Sequence, residues 1–322
     1  MDLFDDIPER ALAWHRAGAG AVLATVMQTW GSAPRRVGSQ LAVSGAGEMA
    51  GSVSGGCVEG AVVLEALEAL EDGKPRVLEY GVSDDDAFAV GLACGGTIRV
   101  LVEPIGAAMP EPLLEELVAA RAARRPVAYV VPPEGGEREL VSEGFEERFR
   151  MDRSGLEEDG QTFVCIFNPP LRLFVVGAVH IAQALVPMAR IAGFDPVVID
   201  PRDSFATKER FPDTALHADW PDEVLPRLGL DSRVALVLLT HDPKIDDPAL
   251  ELALESECFY IGALGSSRTH AKRLTRLGEG GATPDQLARI HGPVGLDIGA
   301  AGPAEIAVSI LAEMVRVLRK GA

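Results

Sequence analysis

The run Gly51-Ser52-Val53-Ser54-Gly55-Gly56-Cys57 leads straight into a stretch of helical periodicity. A thiol at a helix start meets backbone donors and the positive end of the dipole, which lower its pKa and raise its thiolate fraction. Cys57, with Ser54, Gly55 and Gly56 before it, is therefore a candidate site thiol; a buried, inert cysteine is the alternative. Cys94 sits in a comparable glycine setting, Gly91-Leu92-Ala93-Cys94-Gly95-Gly96. Trp30 and Arg35-Arg36 flank a glycine-proline turn that suits closure over an anionic ligand, with core and surface roles as the competing explanations.

A second group lies further along. Gly177-Ala178-Val179-His180 follows an apolar strand and opens a helix, the layout of a dinucleotide-binding turn in which glycines let backbone and helix N-terminus approach phosphate. Asp200 comes 23 residues after Gly177, where an acidic side chain would hold ribose hydroxyls. Val179 stands where the motif has its second glycine, so the turn also reads as a Rossmann fold that holds no dinucleotide there. His180 is either a ligand contact or an exposed or capping histidine. Thr240-His241-Asp242 and Gly265-Ser266-Ser267-Arg268 each close an apolar strand, and Lys272 and Arg273 follow. A basic helix start after a glycine turn makes an anion site; a solvated helix face explains the same residues. Asp246 and Asp247 read as ligand-positioning or as plain loop surface. HExxH, GxSxG and P-loop patterns are absent from the sequence, which removes support for hydrolase and kinase chemistry.

Around Gly51–Cys57 the patterning gives a helix at Ile7–Arg16, strands at Ala21–Thr29 and Gln40–Val43, and a helix at Val58–Glu71. Strands near Arg76–Tyr80 and Thr97–Val102, a helix at Leu113–Arg124 and strands at Val127–Val131 and Phe163–Phe167 follow, with Pro132–Gly160 as polar edge material. Asn168-Pro169-Pro170 is a linker signal. Beyond it strand and helix alternate: Leu171–Val176, Ile181–Ala192, Pro196–Ile199, Val234–Leu239, Phe259–Gly262 and a last helix at Pro303–Leu318. Apolar strands without alternation imply a parallel sheet covered on both faces. The expectation is an α/β protein: an N-terminal α+β domain, residues 1–168, followed by a C-terminal Rossmann-like domain with a parallel sheet, residues 169–322.

At 322 residues the chain favours two domains over one. Its net charge of −18 repels nucleic acid and anionic lipid, so any anionic ligand must be held by local cations and helix N-termini. The four cysteines show no CxxC pairing, which points to neither a disulfide framework nor a zinc site. With an acidic first segment, Met1–Asp6, and no long apolar run, the expected location is cytoplasmic, with no membrane association.

Taken in order, Gly31-Ser32-Ala33-Pro34-Arg35, Gly51–Glu59, Gly91–Gly96, Thr240-His241-Asp242, Tyr260–Arg268 and Gly292–Ile306 resemble the XdhC/CoxI family over nearly the whole chain. The resemblance implies an accessory factor for a molybdenum hydroxylase such as xanthine dehydrogenase, more a non-catalytic carrier than an enzyme. Such a protein binds the molybdenum cofactor, shelters it while its terminal sulfur is installed, and passes it to the apoenzyme. It further implies a homodimer, contact with a cysteine desulfurase, and a purpose for Cys57 in protecting or ligating molybdenum. An NAD(P)-dependent oxidoreductase is the rival explanation of the Rossmann pattern.

Overall fold

The computed structural model describes residues 6–31, 35–81, 96–132 and 136–321. The chain divides into two compact units, Met1–Pro169 and Pro170–Ala322.

In the first unit, α1 (Ile7–Arg16) precedes β1 (Ala21–Trp30), β2 (Gln40–Ser44), β3 (Met49–Gly51), α2 (Glu59–Asp72), β4 (Arg76–Tyr80) and β5 (Thr97–Pro104). Then come α3 (Glu111–Ala122), β6 (Val127–Val131), β7 (Glu139–Val141), α4 (Glu146–Met151), β8 (Gly155–Leu156) and β9 (Phe163–Phe167). The strands form two antiparallel sheets, β3-β2-β1-β5-β4 and β7-β6-β9-β8. Because side chains alternate across a strand, β1 serves two cores. Val22, Ala24 and Val26 pack with Val62, Ala66 and Ala69 of α2. Ala21, Leu23 and Met27 pack with α1, α3 and the second sheet, where Tyr129, Phe163 and Cys165 are buried. The stretch expected to be polar edge material holds β7, α4 and β8, elements too short to carry a periodic signal.

The second unit runs β10 (Leu171–Val176), α5 (His180–Ile191), β11 (Phe194–Ile199), β12 (Ala215–His217), α6 (Pro221–Leu228), β13 (Val234–Leu238) and α7 (Pro243–Leu254). It ends with β14 (Tyr260–Ala263), α8 (Ser267–Glu279), α9 (Pro284–Ala288), β15 (Ile290–His291) and α10 (Pro303–Lys320). Its six strands form one parallel sheet in the order β12-β11-β10-β13-β14-β15. Leu173 and Val175 face α5 and α10, while Phe174 and Val176 face α6 and α7. The chain order doubles back at β10, so the carboxyl ends of β10 and β13 diverge into loops on either side, the place where open α/β sheets hold ligands. The α/β fold class and the Rossmann-like parallel sheet are as the sequence implies.

Candidate functional site

Three glycine-bearing loops carry the candidate residues, and the structure gives them different work. In the first unit the loop before α2 is built around a carboxylate. Glu59, in the first turn of α2, accepts from Ser52 Oγ at 2.6 Å, Val53 N at 3.2 Å and Ser54 N at 2.9 Å on one oxygen. Its other oxygen accepts from Ser54 Oγ at 2.5 Å and Gly56 N at 2.9 Å. Ser54 Oγ in turn accepts the N–H groups of Cys57 and Val58, each at 3.0 Å. Burial works to raise the pKa of Glu59, but the hydroxyls of Ser52 and Ser54 and the backbone donors outweigh it and pull the value down to about 2.

The backbone donors expected to act on the Cys57 thiol are therefore held by the chain's own carboxylate and serine. Gly55 and Gly56 take φ of 80° and 114°, which lets the loop wrap that side chain. Cys57 is a free, half-buried thiol just ahead of the helix, against the edge of the α2 core. Cys94 lies outside the described residues. Arg35 lines a separate cavity of about 230 Å³ with Arg36, Arg121 and Ser154, a cavity that neither Ser54 nor Cys57 lines. Its Nε is buried and has no hydrogen-bond partner among the described residues.

In the second unit the turn after β10 is closed from inside. Gly177 has φ 111°, and a Cβ there would lie 2.8 Å from Thr240 Cγ2, so its glycine answers to the close passage of the β13 strand end. Gly177 N donates to Ile199 O and Ala178 N to Asp200 Oδ2. Asp200 is wholly buried, and both its oxygens also accept from the Arg202 guanidinium. Burial pushes its pKa up, but Arg202 and the amides of Ala178 and Arg202 hold the carboxyl below its ordinary value. The ribose-holding role expected of Asp200 thus meets a carboxylate already filled by its neighbours, and Val179 is an extended N-cap residue. His180 is exposed on the first turn of α5.

The other two strand ends come together as one cleft. Its volume is about 290 Å³, and His241, Asp246, Arg268, Lys272, Arg273 and Arg276 contribute to its walls. Asp242 caps α7 by accepting from Lys244 N, and Ser266 caps α8 by accepting from Thr269 N. As at any helix start, the first N–H groups of α8 have no partner within the helix. His241 holds φ 62°, an uncommon backbone state for a side-chain-bearing residue. Gly265, with φ 152°, leads into the cap, and Arg268 and Lys272 are exposed at the rim.

Arg273 is the residue the sequence places but does not explain. It is 2% exposed; its Nη2 donates to Leu264 O at 2.8 Å and stands 3.8 Å from Asp246 Oδ2, while Nη1 is buried without a partner among the described residues. Asp246, expected on a loop, is buried in α7 and accepts from Thr240 Oγ1 at 2.6 Å. Burial raises the pKa of Asp246 and lowers that of Arg273, the mark of two charges desolvated together and only loosely joined. An arriving anion would find a buried guanidinium, a helix N-terminus and two rim cations.

A further network supports this end of the sheet. Tyr260 Oη donates to Glu313 at 2.7 Å, Gly295 N donates to the same carboxylate at 2.8 Å, and the Tyr260 and His291 rings stack at 4.7 Å. It ties β14 and the segment after β15 to α10. Nothing in the periodicity of the sequence signals it. The described residues contain no cluster of histidine, cysteine and carboxylate suited to a metal ion, and no helix long and apolar enough to cross a membrane.

A Rossmann-type unit with a cation-lined cleft at its strand ends, preceded by an α+β unit with a carboxylate-braced thiol loop, is the class of protein these features define. Residues 173–314 match the model of the XdhC Rossmann domain and residues 14–81 that of the XdhC and CoxI family. The chain is 33% identical to the molybdenum cofactor insertion chaperone PaoD of Escherichia coli, over 94% of this chain and 84% of that protein. It is 30% identical to a probable xanthine dehydrogenase subunit of Bacillus subtilis, over 93% and 94% of the two chains. A crystal structure described as a xanthine dehydrogenase from Bacillus halodurans superposes with a TM-score of 0.63 at 28% identity, covering 98% of this chain and 96% of that one. This chain belongs to the XdhC and CoxI family.

Proposed function

We propose that this protein is a carrier for the molybdenum cofactor, which it holds by the phosphate of the pyranopterin in the cleft at the start of α8 and passes to a molybdenum hydroxylase of the xanthine dehydrogenase type. The observation that carries the reading is the buried Arg273, whose Nη1 lacks a partner among the described residues at the mouth of a capped helix N-terminus. A phosphate dianion fits that donor set: it would satisfy the guanidinium, accept from the first amides of α8, and draw Arg268 and Lys272 inward. The name of the Escherichia coli relative supports the same cargo.

In this reading Asp242 and Ser266 fix the two helix starts that frame the phosphate, and Thr240 holds Asp246 behind Arg273. Once delivered, the cofactor supplies redox chemistry to the client and not to the carrier. Cys57 offers a thiol that protects or ligates molybdenum during sulfur installation, with a cysteine desulfurase as sulfur source and a homodimer as the working form. The filled carboxylate of Asp200 weighs against NAD(P) at the Gly177 turn.

The test is to load the protein with cofactor, mix it with hydroxylase lacking cofactor, and follow substrate oxidation. Transfer is expected, with Arg268→Glu/Lys272→Glu retaining less cofactor and Cys57→Ser showing less sulfurated product. Tight NAD(H) binding with reduction of a small carbonyl compound, and no transfer, would make the oxidoreductase the better reading.

A further inference from the structure

A larger cavity than the cleft at α8 lies in the first unit, and the cofactor reading makes no use of it. It encloses about 890 Å³ where the outer face of β4 and β5 meets the second sheet, within the size range of small-molecule sites. Met27, Val77 and Leu101 give it an apolar floor, and Lys74, Arg99 and Arg138 stand in its wall. No described residue of the lining is a carboxylate. In a chain of net charge −18 that is a local reversal of sign.

Arg138 is fixed from behind. Glu103, 1% exposed, accepts from Arg138 Nε at 2.8 Å and from Tyr129 Oη at 3.0 Å. A carboxylate buried this deeply is expensive to desolvate, and its arrangement anchors one edge of the guanidinium while the side chain still lines the cavity. Arg99 is steadied by Gln28 at 3.3 Å, and among the described residues neither Lys74 nor Arg99 forms a salt bridge. Arg76 differs: it is engaged by Glu65, Glu68 and Asp72.

We infer that this cavity binds an organic anion, an aromatic or otherwise apolar ring system bearing a phosphate or carboxylate, with the ring on Met27, Val77 and Leu101 and the anionic group between Lys74, Arg99 and Arg138. The site is independent of the cleft at α8.

Anilinonaphthalene sulfonate is the probe, with uncharged phenylnaphthylamine as control, each titrated by fluorescence into the full-length protein. Stoichiometric binding of the sulfonate, tighter than that of the uncharged ring, is expected. Lys74→Gln/Arg99→Gln, which leaves the Glu103–Arg138 pair intact, should weaken it by about tenfold or more, about 1.4 kcal/mol, without changing phenylnaphthylamine binding. Displacement by adenosine monophosphate identifies a phosphate and displacement by naphthoate a carboxylate. The inference is overturned by equal affinity for both probes, by an unchanged affinity in Lys74→Gln/Arg99→Gln, by displacement with neither competitor, or by loss of binding in Arg268→Glu/Lys272→Glu instead.

Discussion

Replacing Glu59 by glutamine separates a loop shaped by a carboxylate from one shaped by its glycines alone. The wild-type side chain accepts five hydrogen bonds from Ser52, Val53, Ser54 and Gly56. Its pKa of about 2 against the ordinary 4.5 is equivalent to about 3 kcal/mol favouring the ordered loop at neutral pH. Because the folded pKa is the lower one, that contribution is complete above the unfolded value and fades as pH falls through the folded value; at pH 3 about 1.4 kcal/mol is left. Glutamine replaces one acceptor with an NH2 group and sets it against backbone donors, and each donor left without an acceptor costs ~1–3 kcal/mol. Hydrogen exchange read on the peptide spanning residues 51–60 is the assay. Protection of the Ser54 and Gly56 amides should fall about a hundredfold at neutral pH and about tenfold at pH 3. Cys57 should become more rapidly alkylated as its N–H loses Ser54. Equal protection in the two proteins, or a deficit that does not shrink toward pH 3, would refute the carboxylate's role.

Gly177→Ala places a methyl 2.8 Å from Thr240 Cγ2 in a backbone state at φ 111°, so urea unfolding should show a loss of about 2 kcal/mol or more. Asp246→Asn removes the carboxylate 3.8 Å from Arg273 while keeping an acceptor for Thr240; inorganic phosphate, titrated calorimetrically at neutral pH, should bind about tenfold tighter. In the wild type the raised pKa of Asp246 makes the same gain appear on acidification, since protonation of the buried carboxyl removes the negative charge beside Arg273. Affinity that is flat with pH and unaffected by the asparagine would separate Asp246 from the anion site.

How much of this was legible depended on how local each signal was. From Leu171 onward, apolar runs separated by amphipathic helices leave little alternative to a covered parallel sheet, and β10 and β9 fall on their expected bounds. The helix at Pro243–Leu254 was hidden because Pro248 and two adjacent acids interrupt its pattern, although Asp242 followed by Pro243 is itself a start signal. Without that helix Asp246 reads as a loop residue, when it is buried. Arg273 was visible as a charge but not as a buried one. Its line along α8 runs Thr269, Arg273, Leu277, the last of them core, whereas Arg268, Lys272 and Arg276 share the outer line. Helical spacing alone separates the rim cations from the inner one.

Glycine loops at helix starts look alike in sequence, yet those before α2 and α8 have opposite electrostatic outcomes. Before α2 the loop carries its own anion, for Glu59 three residues after Gly56 reaches back to the donors and neutralises them. An external phosphate would have to displace a carboxylate of unusually low pKa, so this loop presents a thiol and not a cradle. Before α8 the corresponding early positions are Ser267, Arg268 and Thr269, with no acid in the first turn. Beyond the Ser266 cap on Thr269 N, the first amides of α8 have no partner within the helix, and cations gather around them. An acid in the first turn fills the loop before α2, and Asp200 from a neighbouring strand end fills the turn before α5, so in this strongly acidic chain the loop before α8 is the one of the three whose first amides meet no carboxylate among the described residues.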